Sequence, residues 1–299
     1  MNDALYQHVF SNLQYQQDAV LDKFVEELKS KFQDSLLSIV FYGSCMRTHE
    51  YDNAMLDFYV IVEDYSQAYS NRWYSIANTL LAPNVFYQQV QIDGRIYRAK
   101  YAVVSKSALS SGVKSFHPYF WARFTQPLAL IYVDHEQVKK WLVEVQCIAA
   151  STFIHSIINV VEGEISSEKL WVKGLQLTYG AELRAEKMQR ASLIYHSQRA
   201  FYDGLTFNIF PKNQLDSLVG KAKLFASLKW KLRKILGKFL SILRLMKATT
   251  TFVNGVDYIA WKIERHTGEE VIVSERLRKY PLLYGWPLLF KLYKQGKIR

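Results

Sequence analysis

The chain has 299 residues, of which 49% are hydrophobic, and it carries a formal net charge of +11. A chain of this length and apolar content can bury a sizeable core, which excludes a largely disordered protein. Its two cysteines, Cys45 and Cys147, are too few for a disulfide framework or a cysteine-based zinc site. The basic balance predicts an anionic partner, and charge alone leaves nucleic acid, nucleotide phosphate and anionic lipid open.

The N-terminal segment has scattered acids and no arginine before residue 31, so it predicts neither a secretory signal nor an arginine-rich transit peptide. The chain contains no stretch of about 18 uncharged apolar residues, and we therefore expect no transmembrane helix. These features, together with the low cysteine content, predict a cytoplasmic protein.

Hydrophobic periodicity divides the chain into an α/β first part and a largely helical second part. The elements predicted for the first part, in chain order, are a helix over 4–30, strands over 36–42 and 55–62, a helix over 66–81, hairpin strands over 85–91 and 96–104, a helical turn over 120–124 and a strand over 128–133. The helices predicted for the second part cover 137–161, 167–179, 181–202, 217–247 and 257–266. This change of character predicts two domains, 1–134 and 135–299.

A glycine–serine pair follows the first predicted strand, and an aspartate lies within the second. Gly43 lets the backbone approach a phosphate closely, and the Ser44 hydroxyl and nearby N–H groups can bind phosphate oxygens. Asp57 lies in an apolar strand, where a carboxylate is costly unless it has a partner or a metal. This spacing is typical of polymerase-β-type nucleotidyltransferases, in which two acids two residues apart hold Mg²⁺. Residue 59 is a tyrosine, however, and a hydrogen-bonded strand aspartate is the alternative interpretation of Asp57.

Several segments resemble, in order, the mitochondrial-type phosphatidate cytidylyltransferases, which are the translocator-assembly-and-maintenance family. The segments that carry the resemblance are Phe41-Tyr42-Gly43-Ser44, Met55-Leu56-Asp57-Phe58, Val62-Glu63-Asp64, Asn71-Arg72-Trp73-Tyr74-Ser75, Ala82-Pro83-Asn84-Val85, Lys100-Tyr101-Ala102-Val103, Trp121-Ala122-Arg123, Leu177-Thr178-Tyr179 and Glu182-Leu183-Arg184. They span about residues 38–205, and the chain looks like a bacterial member. Cys45 departs from the family pattern, which usually has glycine at that position.

The resemblance implies a polymerase-β-like nucleotidyltransferase domain followed by a mainly helical domain. It also implies transfer of CMP from CTP to phosphatidic acid, with Mg²⁺ as cofactor and pyrophosphate as the second product. The implied catalytic residues are Asp57, Lys100 and Arg184, with Asp57 as metal ligand. The implied substrate-binding residues are Gly43, Ser44, Tyr74, Ser75, Lys100, Arg123 and Lys187.

Each of these basic residues has a structural alternative. Lys100 lies in an apolar strand and needs an anionic partner, which is either a substrate phosphate or a protein carboxylate. Arg184 and Lys187 are three residues apart and share a helix face, which substrate or solvent can occupy. Glu63 and Asp64 are the nearest candidates for a second metal ligand.

The C-terminal third is basic and amphipathic. Residues 217–256 contain no acid, and their lysines and arginines alternate with apolar residues that recur at three- and four-residue steps. This pattern favours a helix on an anionic membrane surface, and a second mixed run over 276–299 is a further interfacial candidate. A packed helix with a solvated basic face and a nucleic-acid surface are the alternatives, and nucleic acid is the least favoured. The resulting expectation is a cytoplasmic enzyme associated peripherally with the inner membrane.

Two other functions stay open at this point. One is a nucleotidyltransferase that acts on RNA or on a small nucleotide acceptor, since the fold, metal chemistry and basic charge would serve it equally. The other is a catalytically inactive membrane adaptor that has kept the fold, for which Tyr59 is the best evidence.

Overall fold

The structure is a computed structural model that describes residues 2–182, 188–211, 219–220, 224–251, 256 and 273–279. The predicted helix over 257–266 lies outside the described residues, as do Arg184, Lys187 and most of the run 276–299.

A mixed five-stranded sheet forms the first part, as the hydrophobic patterning predicts. Its strands in spatial order are β3 (Asn84–Ile92), β4 (Arg95–Ser105), β2 (Met55–Val62), β1 (Leu36–Tyr42) and β5 (Ala129–Val133). Strand β1 is antiparallel to β2 and β5, whereas β4 runs parallel to β2. The β3–β4 hairpin turns at Asp93 and Gly94, whose φ values of 48° and 77° fit the predicted Asp-Gly turn.

Helices surround this sheet and make up most of the second part. The helices of the described residues are α1 (Asp3–Asn12), α2 (Ala19–Phe32), α3 (Ser44–Thr48), α4 (Tyr65–Ala68), α5 (Arg72–Leu80), α6 (Lys106–Gly112), α7 (Trp121–Phe124), α8 (Glu136–Ile157), α9 (Ser167–Gly180), α10 (Met188–Ser197), α11 (Arg199–Ile209), α12 (Leu224–Thr251) and α13 (Glu275–Lys279). A short pair of strands, β6 (Gly163–Glu164) and β7 (Val219–Gly220), lies outside the main sheet. An α/β part followed by a mainly helical part is therefore confirmed.

Both faces of the sheet are buried, and successive residues of each strand contribute to opposite faces. One face packs on α2, and Phe58 and Val60 of β2 belong to that core. The other face packs on the helices of the second part, and Tyr59 and Ile61 belong to this second core. Asp57 shares its face with Tyr59, so its side chain points toward the helical part.

Two predicted helices are wrong in their extent, since each is divided into two shorter helices. The helix over 4–30 is split into α1 and α2, because the Gln16 N–H donates to the Leu130 carbonyl at 2.8 Å along the edge of β5. Asp18 then caps α2. The helix over 66–81 is split into α4 and α5, and Asn71 caps α5 by accepting from the Trp73 N–H.

The helix predicted over 181–202 is also interrupted. Its described part consists of α10 and α11, separated at Gln198, where φ is −139° and ψ is 36°. The predicted helix over 167–179 agrees closely with α9. The predicted helix over 137–161 begins within one residue of α8, which ends four residues earlier than predicted, at Ile157.

One described helical stretch, Glu136–Val160, is long and apolar enough to cross a membrane, with a mean hydropathy of 1.4 in its most apolar window. More than half of that window, 56%, is buried inside the protein. A core helix of a folded domain meets the same criterion, so length and composition do not by themselves make this stretch a membrane span.

One side of helix α12 packs against the rest of the protein. Trp230, Gly237 and Arg244 recur every seven residues and therefore share one side of the helix. The Trp230 indole donates to the Ser156 carbonyl at 3.0 Å. Gly237 lies so close to α9 that a Cβ there would come within 2.3 Å of the Ala181 carbonyl oxygen.

Replacing Gly237 with alanine should destabilise the protein. The added Cβ meets a backbone oxygen that cannot rotate away, so we expect the free energy of unfolding to fall by about 1–3 kcal/mol. Urea denaturation measures the change. Gly180→Ala at the end of α9 is the matched control, because nothing lies within 4 Å of its built Cβ. Equal effects of the two substitutions would contradict the close packing of α12.

Candidate functional site

The candidate site lies at the edge of the sheet where β1 ends. Asp57 of β2 is flanked in register by Tyr42 of β1 and Lys100 of β4. Because the three residues stand side by side on adjacent strands, their side chains form one row on the face toward the helical part. Strand order alone thus brings two of the predicted residues, Asp57 and Lys100, together.

The carboxylate of Asp57 has a different neighbour at each oxygen. The Lys100 ammonium lies 2.9 Å from Oδ1, and the two side chains are 42% and 19% exposed, respectively. Gly43 has φ 88° and ψ −162°, and a Cβ there would come within 2.8 Å of Asp57 Oδ2. Ser44 follows at the first residue of α3 and is exposed. A carboxylate, an ammonium and a glycine–serine turn therefore converge at one accessible place.

Of the two partners expected for Lys100, a substrate phosphate or a protein carboxylate, the structure shows the carboxylate of Asp57. The ion pair with Asp57 is partly exposed, so it contributes no more than about 1 kcal/mol to stability. A pair of such modest strength can be rearranged when a more highly charged anion arrives.

Cys45 has a packing role. Its side chain is buried in the core on the α2 side of the sheet, and its Sγ donates to the Met55 carbonyl at 3.4 Å. Burial raises the pKa of the thiol, which keeps it protonated at neutral pH. The departure from glycine at this position places the extra side chain in the core on the α2 side, where the nearby Asp57 carboxylate also raises the pKa of the thiol.

Tyr59 fills the position at which the two-acid pattern has its second carboxylate. Its ring is 1% exposed and lies 4.9 Å from the rings of both Tyr42 and Phe124. Burial raises the pKa of its hydroxyl well above the ordinary value, so this group is not an anionic metal ligand. The side chains that neighbour Asp57 along β2 on this face therefore belong to the aromatic core.

The expectation that Glu63 or Asp64 supplies a second metal ligand is wrong. Both follow the far end of β2, about 20 Å along the strand from Asp57. Glu63 lies 3.8 Å from Lys106, and Asp64 caps α4 through the Ser66 N–H. Within the described part of the chain, no group of three histidine, cysteine, aspartate or glutamate side chains could hold a metal.

The residues at the site could hold Mg²⁺ through the single carboxylate of Asp57. Asp57 can supply a single oxygen ligand, and Mg²⁺ is commonly held by one or two carboxylates together with substrate phosphates. The site therefore suits the metal in the company of a bound triphosphate, and Mg²⁺ as the cofactor stays a prediction.

Two predicted substrate-binding residues are not brought to Asp57. Tyr74 lies on α5, and its ring packs against Phe86 at 5.7 Å in the core on the α2 side of the sheet. Ser75 is the next residue of that helix, and its carbonyl accepts from the Thr79 hydroxyl. Substrate binding by Tyr74 and Ser75 therefore stays a prediction, and it would take place away from Asp57.

Arg123 lies deeper on the helical side of the sheet. Its guanidinium is 2.7 Å from Glu182 and donates to the Tyr119 carbonyl at 2.9 Å. Burial alone would lower the pKa of Arg123, but the Glu182 carboxylate and neighbouring tyrosines raise it on balance. Arg123 is therefore a permanent cation on the same face as Asp57, while Arg184 and Lys187 lie outside the described residues.

Sequence reasoning missed the neighbours of Arg123. The sequence pattern predicts a basic surface formed by the lysines and arginines of 217–256, yet the Cζ of Arg244 lies 3.9 Å from the centre of the Tyr119 ring. The seven-residue spacing of Trp230, Gly237 and Arg244 is the signal that could have placed it on the inward face.

Comparison with known proteins adds little to this geometry. No protein-family model and no curated protein matches the chain. A crystal structure of a nucleotidyltransferase-like protein from Exiguobacterium sibiricum matches with a TM-score of 0.28 and 11% identity, over 93% of this chain and 91% of that chain. A TM-score this low carries no argument about function, which has to come from the site.

Gly43→Ala tests the approach of the turn to Asp57. The φ and ψ of Gly43 are accessible almost only to glycine, so we expect a loss of about 1–3 kcal/mol in the free energy of unfolding. Gly94→Ala is the matched control, because it shares a positive φ but has open space around its Cβ. In an Asp57→Ala background the cost of Gly43→Ala should shrink, as a double-mutant cycle by urea denaturation would measure. Strict additivity would refute the contact.

Proposed function

We propose that this protein is a nucleotidyltransferase that transfers CMP from CTP to phosphatidic acid, giving CDP-diacylglycerol and pyrophosphate. The observation that carries the proposal is the Asp57 carboxylate held between the Lys100 ammonium and the Gly43-Ser44 turn. The resemblance of the surrounding segments to phosphatidate cytidylyltransferases supports the choice of both substrates.

The triphosphate of CTP would lie over the Gly43-Ser44 turn. There it meets backbone without a Cβ, an exposed hydroxyl and the Lys100 ammonium, which can move from Asp57 to a phosphate oxygen. Mg²⁺, bound by Asp57 and the triphosphate, would supply further charge neutralisation. Release of Asp57 Oδ1 by Lys100 frees that oxygen at the moment when phosphate arrives.

The transfer itself needs little from the protein beyond positioning and charge. A non-bridging oxygen of the phosphatidate phosphate forms a bond to the α-phosphorus of CTP. The bond from that phosphorus to the β-phosphate oxygen breaks, and its electron pair leaves with pyrophosphate. Because the attacking oxygen is already anionic, no general base is required, and positioning plus electrostatic stabilisation supply the acceleration.

The outward face of α12 supports a lipid acceptor. Six apolar residues on this face recur at three- and four-residue steps and are each between 45% and 68% exposed: Leu228, Leu232, Ile235, Phe239, Ile242 and Met246. Lys231, Lys234 and Lys238 are exposed along one side of this stripe. An apolar stripe bordered by lysines is the composition expected of a helix at an anionic membrane surface. We propose on this basis that the protein is cytoplasmic and binds peripherally to the inner membrane.

Labelled CTP, phosphatidate vesicles and Mg²⁺ test the reaction. Wild-type protein should form CDP-diacylglycerol, and Asp57→Asn should slow this by roughly 10²–10³-fold, the range seen when one electrostatic contact is removed from a transition state. Asp52→Asn is the control, since Asp52 pairs with Arg95 at 3.7 Å in the nearby loop and has no role in the site. Omission of Mg²⁺ should also abolish product.

The other functions have distinct outcomes in the same assay. Product formed with RNA and not with phosphatidate would replace the lipid acceptor with a nucleic acid. Vesicle binding without turnover on either acceptor would identify an adaptor.

Vesicle flotation tests the outward face of α12. Phe239→Asp places a charge in the apolar stripe and removes about 1.5–3 kcal/mol of burial, so binding to phosphatidylglycerol-containing vesicles should weaken about tenfold or more. Leu193→Asp is the control, because Leu193 is 68% exposed on α10, outside the stripe. Added salt should weaken wild-type binding further. If both variants float like wild type, α12 is not the membrane contact.

A further inference from the structure

Helix α5 carries an exposed apolar stripe that the candidate site does not use. Trp73, Ile76 and Leu80 are 57%, 41% and 78% exposed, and they recur at three- and four-residue steps, so they share one side of the helix. Folded proteins seldom leave several large apolar side chains together in water, because their burial would be favourable. The stripe therefore marks a surface that suits an apolar partner.

The opposite side of α5 is fixed to the sheet by a buried amide. The Asn78 side chain is fully buried, and its Nδ2 donates to the Val103 carbonyl of β4 at 2.9 Å. Its Oδ1 accepts from the Asn84 N–H at 2.7 Å. At 100° per residue, Asn78 lies about half a turn around the helix from the stripe. The contacts that attach α5 to the sheet therefore also hold the stripe facing outward.

The end of α5 meets the last turns of α12. Arg244 Nε donates to the Ala82 carbonyl at 3.1 Å, and the Lys247 ammonium donates to the Pro83 carbonyl at 2.9 Å. Both carbonyls follow Leu80 within three residues of the chain. The exposed apolar stripe of α12 described above extends over these same turns. The ends of the two helices that expose apolar side chains are thus joined directly.

Both helices lie in stretches of sequence without acids. No aspartate or glutamate occurs from residue 65 to residue 92, and none occurs over 217–256. Arg72, which is exposed, directly precedes Trp73. Anionic lipid headgroups attract cations, and tryptophan is enriched where the headgroups meet the acyl chains. The composition of α5 therefore complements an anionic lipid surface.

We propose that the exposed side of α5 is a second membrane-contact element, which places Trp73, Ile76 and Leu80 in the headgroup region of an anionic lipid surface beside α12. The inference rests on the membrane binding proposed above for α12 and is independent of the transfer of CMP. A single interfacial helix leaves the protein free to roll about the helix axis. A second contact on a separate element removes that freedom, so α5 fixes how the sheet is oriented on the lipid.

Vesicle flotation with the full chain tests this contact. Trp73→Asp removes an apolar ring and adds a negative charge at the headgroups, so binding to phosphatidylglycerol-containing vesicles should weaken about tenfold or more. Leu193→Asp is the matched control, because it adds the same charge at a 68% exposed leucine on α10. It should float like wild type. Both substituted residues are exposed, so both variants should keep the Tm of wild type.

Quenching by brominated phosphatidylcholine in the same vesicles locates Trp73 directly. Trp73→Phe keeps an aromatic ring and should still bind, but the bound variant should show less quenching of tryptophan fluorescence than wild type. Trp141→Phe is the matched control, because the half-buried Trp141 indole donates to Ser110 Oγ at 3.1 Å inside the protein. Its substitution should leave the quenching by lipid unchanged.

Each alternative has a distinct result. Flotation of Trp73→Asp and quenching of Trp73→Phe equal to wild type would overturn the α5 contact, and α12 would stand if Phe239→Asp still weakened binding. A wild type that does not bind vesicles would overturn both contacts. Self-association abolished by Trp73→Asp, with flotation unchanged, would assign the stripe to a second copy of the chain instead. A failure of CMP transfer with intact vesicle binding would count against the proposed reaction and leave the α5 contact standing.

Discussion

The approach of Gly43 to the carboxylate of Asp57 sets the geometry on which the rest of the site depends. At the end of β1 the backbone adopts φ 88° and comes close enough that any side chain would collide with Oδ2 of Asp57. The turn can then carry Ser44 to the sheet edge, beside the row formed by Tyr42, Asp57 and Lys100. A larger residue at position 43 would push the turn away from the carboxylate and so from the pair formed by Asp57 and Lys100.

The aromatic packing around Tyr59 explains why this site has one carboxylate. Tyr59 is packed between Tyr42 and Phe124, so the core of the helical part continues up to the residue next to Asp57. Negative charge there would be buried among aromatic rings and would need a permanent partner. The cations near this position, Arg123 and Arg244, instead lie against the ring of Tyr119.

Helix α12 links that cationic region to the protein surface. Its inward face contributes Trp230, Gly237 and Arg244, while its outward face exposes apolar residues bordered by lysines. Lys247 extends the inward face and donates to the Pro83 carbonyl at 2.9 Å, which ties the end of the helix to the loop before β3. One helix thus packs on the protein through one face and exposes an apolar stripe bordered by lysines on the other.

The sequence by itself determined the five strands, the Asp-Gly hairpin and the pairing of a Gly-Ser turn with Asp57, because these depend on local periodicity and turn chemistry. It also located the basic amphipathic helix. Only the tertiary structure decided that the helix over 4–30 breaks where Gln16 pairs with β5, that Glu63 and Asp64 lie at the wrong end of β2, and that Arg244 turns inward. Those outcomes depend on contacts between residues far apart in the chain, and local patterns carry no information about which face or strand end such contacts will select.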